Sequence, residues 1–174
     1  MRIITISGKA QHGKDTFANM IKNATTGQRV AILHFADYLK LLAKTAYGWN
    51  GIKDDAGRTL LQHLGTDIIR ERMPDFWVVI MSTTIFALDN EFDVVILPDT
   101  RFKNEVWGMR ELPFSCLSIS IVRPNFDNGL TEEQKNHRSE NDLNDYKFDC
   151  IIENNGSLED LKYKALELVH KIYE

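Results

Sequence analysis

The sequence predicts an α/β fold, a three-layer sandwich in which helices cover both faces of a mostly parallel five-stranded sheet. Two observations lead to this expectation. Apolar, β-branched segments of strand length alternate with segments of helical periodicity along all 174 residues, and crossovers between parallel strands usually contain a helix. A glycine-containing turn also joins the first strand segment to the first helix segment. With 43% hydrophobic residues, the chain has one sizeable core, so we expect one domain over residues 1–174.

The first half of the chain is predicted to contain three strands and four helices. Apolar residues recur at helical spacing from Leu60 to Ile69, and Pro74 separates this helix from the next. The predicted strands are Met1–Ile6, Arg29–Phe35 and Phe92–Leu97, and the predicted helices are Asp15–Ile21, Ala36–Tyr47, Asp54–Arg72 and Asp75–Leu88. The last three helices form one connected insert, over about residues 36–90.

The second half is predicted to hold two strands and two helices around a long polar stretch. The closing helix has Ser157 as its N-cap and Asp160 three residues later, which resembles a capping box. The predicted elements are a short helix Asn104–Arg110, strands Ser115–Val122 and Asp149–Glu153, and the closing helix Ser157–Tyr173. A polar stretch over residues 123–147 is typical of a lid or a disordered loop.

The segment from Gly8 to Thr16 is the strongest chemical signal. Gly8 and Gly13 permit backbone conformations in which successive N–H groups surround a polyphosphate, the following helix adds its positive end, and Lys14 adds a full charge. The spacing fits the first part of the Walker A pattern, but Asp15 follows the lysine and the hydroxyl arrives at Thr16. This variant favours a small-molecule kinase with a P-loop NTPase-like fold that binds ATP. The alternative is an ordinary glycine turn with a solvated lysine.

A carboxylate follows the third predicted strand. The run Val94–Leu97 leads through Pro98 to Asp99, which is Walker B-like and would organise Mg²⁺ together with Thr16, directly or through water. The alternative for Asp99 is a turn or helix-cap residue. Arg101 would pair with Asp99 or contact a phosphate, while Asn104 and Glu105 begin the next helix and are equally suited to capping it.

Several segments together resemble the bacteriophage-type deoxynucleoside monophosphate kinases. The glycine loop is similar to the family's N-terminal Gly-Lys-x-x-x-Gly-Lys-Asp-Thr motif. Further segments that resemble the family are Phe35-Ala36-Asp37 with Leu39-Lys40, Leu61-Gln62 with Leu64-Gly65-Thr66-Asp67 and Arg70, Trp77, Asp99-Thr100-Arg101-Phe102 with Asn104-Glu105, and His137 with Ser139-Glu140. Tyr38 and Lys103 stand where the family commonly has proline, which affects the expected loop geometry more than the activity.

The resemblance implies transfer of the γ-phosphoryl group of ATP to a deoxynucleoside monophosphate, with Mg²⁺ as cofactor. Such a reaction depends on charge neutralisation and in-line positioning rather than on a strong general base. The expected catalytic residues are Lys14, Asp15, Arg101 and Arg138. The expected nucleotide-loop residues are Gly8, Gly13, Lys14, Asp15 and Thr16. The expected acceptor-binding residues are Asp37, Lys40, Gln62, Arg70, Trp77, Arg101, His137 and Glu140.

Each acceptor-side residue also has a simpler interpretation. Lys40 would then be a solvated helix lysine, Arg70 would pair with Asp67 on a helix surface, and Trp77 would be a core residue. The basic residues of the polar stretch, including Lys135 and Arg138, would either close over the transferring phosphate or remain a solvated loop. Asp15 would favour the helix dipole.

Composition limits the partners. The net charge of −4 argues against a nucleic-acid polymer as partner. No apolar stretch is long enough for a membrane span, and Met1 enters the first strand without a signal peptide. Cys116 and Cys150 lie in or beside predicted core strands, as reduced thiols would, so we expect a cytoplasmic protein, in the host cytoplasm if phage-encoded. An exposed apolar face on the helix over residues 75–88 would suit a homodimer.

Two alternative functions remain open at this stage. Animal-type phosphomevalonate kinases have a similar Gly-Lys-x-x-x-Gly-Lys-Asp loop, so a non-nucleotide phosphate acceptor is the enzymatic alternative. A regulatory module that binds ATP without phosphorylating a small molecule is the alternative from another class. Such a module has no need of a lid, and this favours an enzyme.

Overall fold

A parallel five-stranded sheet forms the centre of the computed structural model, which describes residues 1–173. The strands are β1 (Arg2–Ser7), β2 (Val30–Ile32), β3 (Val94–Leu97), β4 (Ser115–Val122) and β5 (Cys150–Glu153). Their order across the sheet is β2-β3-β1-β4-β5, and every neighbouring pair is parallel. The predicted α/β class and strand number are therefore confirmed, and β1, which leads into the glycine loop, is central.

Helices cover both faces of the sheet. They are α1 (Lys14–Ala24), α2 (Ala36–Tyr47), α3 (Asp55–Gln62), a π-helix (His63–Arg70), α4 (Phe76–Ala87), α5 (Lys103–Arg110), α6 (Glu132–Asn136), α7 (Arg138–Asn141) and α8 (Leu158–Tyr173). The bounds of α2 and β4 are those predicted. At the start of α8 the backbone N–H of Asp160 donates to Ser157 Oγ, and the backbone N–H of Ser157 donates to Asp160 Oδ2, which confirms the predicted capping arrangement.

Two predicted elements differ from the structure. The second strand is shorter than residues 29–35, because the backbone N–H groups of Phe35 and Ala36 donate to the carboxylate of Asp99 instead of continuing a strand. The predicted helix over residues 54–72 widens into a π-helix after Gln62, where the Glu71 N–H donates to the Thr66 carbonyl five residues back. π-Helical segments are rare and often occur at functional sites.

The core has two layers, one on each face of the sheet. Ile4, Ile6 and Ile121 pack with α1 and α8, while Ile3, Val95 and Leu97 pack with α4 and its neighbours. A smaller cluster of Ala43, Trp49 and Leu64 lies within the helical region between β2 and β3. Cys116 and Cys150 are free and half-buried. The alternating side chains of each strand thus hold the strand ends, and the loops that follow them, in fixed positions.

The polar stretch over residues 123–147 is partly helical, since it contains α6 and α7. Thr131 and Gln134 form a capping box at the start of α6, and Gln134 is buried. Among residues 1–173, no helix combines the length and apolar character needed to cross a bilayer.

Candidate active site

The glycine loop lies between β1 and α1 at the centre of the sheet edge. Gly8 and Gly13 have φ angles of 146° and 94°, a region that favours glycine. A Cβ atom on Gly8 would lie 2.3 Å from the carbonyl oxygen of Ile121, whereas one on Gly13 would meet the side chain of Asn154 at 2.8 Å. The loop is therefore pressed against β4, and it has the backbone geometry that the sequence predicts.

Lys14 begins α1 and is buried. Its Nζ donates hydrogen bonds to the carbonyl oxygens of Gly8 (2.9 Å) and Lys9 (2.8 Å). Burial, assisted by the nearby charge of Arg101, lowers the pKa of Lys14 to about 7. A buried ammonium group within the loop is suited to bind a polyanion, since phosphate charges would compensate the loss of solvation. Lys14 is not a solvated surface lysine.

The carboxylate of Asp99 lies at the carboxyl end of β3 and anchors α2. Oδ1 accepts from the backbone N–H of Phe35 and Oδ2 from that of Ala36, both at 2.9 Å. Asp99 thus has the helix-capping role that the sequence left open, although it caps a helix distant in sequence. It also lines the same cleft as Lys14, so a metal-binding role stays a prediction. Thr16, the other predicted metal residue, is exposed.

A cleft of about 480 Å³ extends from the glycine loop to the helical region between β2 and β3. Charged and polar side chains from both parts line it. The predicted site residues in its lining are Lys14, Asp15, Lys40, Gln62, Arg70, Trp77, Asp99, Arg101 and Glu140. The fold therefore brings Lys14 and Asp15 of the predicted nucleotide loop and most of the predicted acceptor-side residues to one cavity, while Gly8 and Gly13 lie outside its described lining.

Arg70 ends the π-helix and is held rigidly. Nη2 lies 2.6 Å from Glu105 Oε1, Nη1 donates to Asn104 Oδ1 (3.0 Å) and to the Pro74 carbonyl (3.2 Å), and the guanidinium carbon lies 3.8 Å from the ring centroid of Phe102. The ion pair with Asp67 that the sequence suggested as an alternative is absent from residues 1–173. In that part of the chain, Arg70 Nε is buried without a hydrogen-bond partner.

Glu140 connects the polar stretch to the nucleotide loop. One carboxylate oxygen forms an ion pair with Arg101, and the other accepts from the backbone N–H of Ala10 at 3.2 Å. Lys9 Nζ also donates to the carbonyl oxygen of Glu140 and to the side chain of Asn144. Arg101 therefore pairs with Glu140 and not with Asp99, and the polar stretch lies directly against the loop.

The remaining predicted residues lie at the edge of the cleft or away from it. His137 accepts the Ser139 backbone N–H at Nδ1, and its Nε2 lies 3.5 Å from Asp67 Oδ1. Arg138 is exposed and donates to Asp142. Asp37 forms ion pairs with Lys40 (2.8 Å) and His34 (3.4 Å). The described cleft lining includes none of His137, Arg138, Asp37 and Thr16. Trp77 is buried, and its Nε1 donates to the Gly65 carbonyl.

Sequence reasoning missed three basic side chains in the cleft lining, His34, Lys53 and Arg58. His34 lies two residues after the end of β2, and its Nε2 donates to Asp15 Oδ1 at 2.9 Å. Burial lowers the pKa of Lys53. Because the predicted strand over residues 29–35 includes His34, the sequence analysis did not place this side chain beyond a strand end. Lys53 lies in a loop, whose position depends on tertiary packing.

The pair of His34 and Asp15 predicts a pH-dependent stability. The hydrogen bond that His34 donates to Asp15 raises the pKa of His34, while Asp99 and Asp37 add to the effect. The stabilisation is fully present below the unfolded-state pKa of about 6.5 and is lost as the pH rises through the folded-state pKa. We expect His34→Gln to be more destabilising at about pH 5.5 than at about pH 8.5 in urea unfolding. Asp15→Asn should weaken this pH dependence and leave the part due to Asp99 and Asp37. An equal penalty of His34→Gln at both pH values would contradict this assignment.

Known proteins resemble this chain over much of its length. The family described as deoxynucleotide monophosphate kinase matches residues 49–165. Two proteins of that name are similar to the chain: that of Enterobacteria phage T4 is 35% identical over 122 residues, covering 64% of this chain and 45% of the phage protein, and that of Escherichia phage RB69 is 31% identical over 116 residues, covering 64% and 43%. The matches thus span less than half the length of these relatives.

Solved structures support the fold. TT1252 from Thermus thermophilus aligns over 98% of this chain and 97% of its own, at 20% identity and a TM-score of 0.58. A dephospho-CoA kinase from Campylobacter jejuni aligns over 98% and 97%, at 15% identity and a TM-score of 0.58. The tunicamycin resistance protein of Deinococcus radiodurans aligns over 97% and 95%, at 14% identity and a TM-score of 0.59. Because the family match covers well over half of the sequence, the chain belongs to the deoxynucleotide monophosphate kinase family.

Proposed function

We propose that this protein phosphorylates deoxynucleoside monophosphates to diphosphates by direct in-line transfer from ATP, with Mg²⁺ as cofactor. One observation carries the proposal most strongly: the loop lysine Lys14 and the acceptor-side cations Lys40, Arg70 and Arg101 line one cleft. Phosphoryl transfer between two anionic substrates needs cations on both sides of the transferring group. Family membership supports the same reaction.

The nucleotide loop would bind the phosphates of ATP. Gly8 and Gly13 have positive φ angles, which larger residues rarely adopt, and a Cβ atom at either position would meet a neighbouring atom. These features fit a loop whose backbone approaches phosphate. Lys14 would neutralise phosphate charge. Asp99 retains acceptor capacity beyond its two backbone hydrogen bonds, because each carboxylate oxygen has two lone pairs. It would hold Mg²⁺ with Thr16 through water ligands, which this ion commonly keeps.

The acceptor would lie toward the helical region between β2 and β3. Arg70, whose Nε is buried without a hydrogen-bond partner among residues 1–173, would donate to a monophosphate from its guanidinium group, and Lys40 and Arg101 would supply further charge. Gln62 would contact the base or the sugar, and Trp77 would form an apolar wall, because its ring is buried and its Nε1 already bonds to Gly65. The acceptor phosphate has its second pKa near about 6 and is largely ionised at neutral pH, so no strong base is required.

The polar stretch over residues 123–147 would act as the lid. Glu140 already joins it to the loop and to Arg101. Arg138 would have to turn away from Asp142 to reach a transferring phosphate, whereas His137, close to Asp67, would connect the lid to the acceptor side.

Asp37 would act by orienting Lys40. Asp15, paired with His34, would orient the acceptor side or a metal-bound water. The enzyme would work in the cytoplasm, which is the host cytoplasm if the protein is phage-encoded, and exposed Val79 and Phe86 on α4 would serve a homodimer.

An ADP-release assay tests this function. Wild-type protein with ATP and Mg²⁺ is offered all deoxy- and ribonucleoside monophosphates and phosphomevalonate, beside Lys14→Ala and a matched variant of an exposed lysine of the same helix, Lys22→Ala. We expect turnover of one or more deoxynucleotides, its loss in Lys14→Ala, and its retention in Lys22→Ala. Turnover of phosphomevalonate alone would replace the substrate, and ATP binding without turnover of any acceptor would identify a regulatory module.

A further inference from the structure

Glu105, in the first turn of α5, uses its two carboxylate oxygens for different purposes. Oε2 accepts from the backbone N–H groups of Arg101 (2.7 Å) and Phe102 (3.1 Å), and it therefore caps α5. Oε1 forms the 2.6 Å ion pair with Arg70 Nη2. The cap needs only one of these oxygens, so the contact with Arg70 calls for a separate explanation.

Burying the charged groups of Glu105 and Arg70 costs desolvation free energy. The two side chains are only 3% and 5% exposed, and burial raises the pKa of Glu105 to about 7 against the opposing influence of Arg70. Buried ion pairs contribute little net stability, and apolar replacements are often as stable. A capping glutamate works equally well at a surface. Stability alone therefore gives no reason for this arrangement.

The contact between Glu105 and Arg70 fixes the orientation of the Arg70 guanidinium group, which lines the cleft. Phe102 packs against one face of Arg70, while Asn104, Pro74 and Glu105 hold its terminal nitrogen atoms. Rotation of the group would break several of these contacts together. Nε, the nitrogen left without a partner in residues 1–173, belongs to a side chain that lines the cleft.

We propose that Glu105 is a positioning residue for acceptor binding: it holds Arg70 so that the guanidinium group presents its charge and its uncommitted N–H groups, one on Nη2 and one on Nε, to the monophosphate dianion of the acceptor. This inference rests on the proposed function, since it assigns Arg70 to the acceptor phosphate. Glu105 itself would not touch either substrate.

Glu105→Gln separates positioning from capping. An amide has one acceptor oxygen, so its NH₂ group must face either the capped N–H groups or Arg70, donor against donor. We expect the KM for the acceptor to rise about tenfold to hundredfold, with the KM for ATP changed by less than about twofold. Because Glu105 would act through Arg70, the double variant Arg70→Met/Glu105→Gln should have the same acceptor KM as Arg70→Met alone.

The matched control is Asp160→Asn, which removes the charge of another capping carboxylate, exposed at the start of α8 and outside the described cleft lining. It should lower the melting temperature without changing either KM. All variants are assayed below the melting transition of the least stable. Equal changes in both KM values for Glu105→Gln, or additive effects with Arg70→Met, would overturn the positioning role while leaving the kinase function intact. Absence of deoxynucleotide turnover by the wild-type protein would instead overturn the function, and this inference with it.

Discussion

Replacing Lys14 with methionine is expected to abolish phosphoryl transfer and, at the same time, to stabilise the folded protein. Burial holds the pKa of Lys14 at about 7, so the folded state opposes a charge that the unfolded chain carries freely. Methionine has similar length and no charge. The gain, offset by the loss of two hydrogen bonds to loop carbonyls, should be about 2 kcal/mol in the free energy of unfolding near neutral pH. The loss in kcat/KM should be about a thousandfold or more.

The stability gained in Lys14→Met should depend on pH in a defined direction. A lysine with a depressed folded-state pKa destabilises fully below that pKa, and the penalty fades as the pH rises toward the unfolded-state value of about 10.5. The advantage of Lys14→Met in urea unfolding should therefore be largest at or below about pH 7 and small at about pH 10. Lys22→Met, at an exposed position of α1, should alter neither activity nor stability by more than about 0.5 kcal/mol. A variant that is less stable than wild type near neutral pH would contradict the assignment of an opposed, buried charge.

Gly8→Ala should cause the largest loss of stability of any single substitution in the loop. The new methyl group would lie 2.3 Å from the backbone oxygen of Ile121, just beyond the last pair of β1 and β4, Ser7 and Ser120, at a φ angle of 146°. Neither strand can move without disturbing the core, so we expect a loss of about 3 kcal/mol or more in the free energy of unfolding. Urea unfolding measures it directly.

Alanine substitutions at two other glycines distinguish the effect of the steric clash at Gly8 from that of an unfavourable φ angle. A Cβ atom on Gly27, at a φ angle of 76°, has no described atom within 4 Å, and one on Gly13 meets only the end of the Asn154 side chain. Gly27→Ala should therefore cost about 1 kcal/mol, from conformational strain alone, and Gly13→Ala an intermediate amount. If Gly8→Ala were no more destabilising than Gly27→Ala, the close approach of the loop to β4 would be refuted.

Features that depend on residues close together in the sequence could be predicted from it. Alternating apolar strands and helices predicted the sheet, and residue spacing predicted α2 and β4 to the residue. The glycine loop was recognisable because glycine, lysine and a following helix act together over a few positions. The π-helix was not predicted, because apolar residues spaced by four, such as Leu60, Leu64 and Ile68, fit an α-helix nearly as well.

Contacts between distant segments could not be predicted. Arg70 has Asp67 three positions away, yet it pairs with Glu105 across the cleft, since the π-helix and the packing of α5 decide which carboxylate it meets. Asp99 was assigned to a metal, and its immediate partners are backbone groups at the start of α2. In both cases the residue type was informative, while the partner depended on which strand ends the sheet brings together.

The strand order has a consequence for how this architecture can change over evolutionary time. The helical region that lines the acceptor side lies within a single crossover, from β2 to its parallel neighbour β3, and the strands that support the glycine loop, β3 and β4, pair with β1 outside it. Insertions, deletions or wholesale replacement between α2 and the π-helix would leave each of these pairings in register. α4, whose Trp77, Met81 and Ile85 pack on the sheet, ties the crossover to the core together with Leu39 of α2 and Ile69 of the π-helix, which pack against the same cluster. The proposed acceptor side can thus change within one crossover while the proposed phosphate-binding frame stays under a separate constraint.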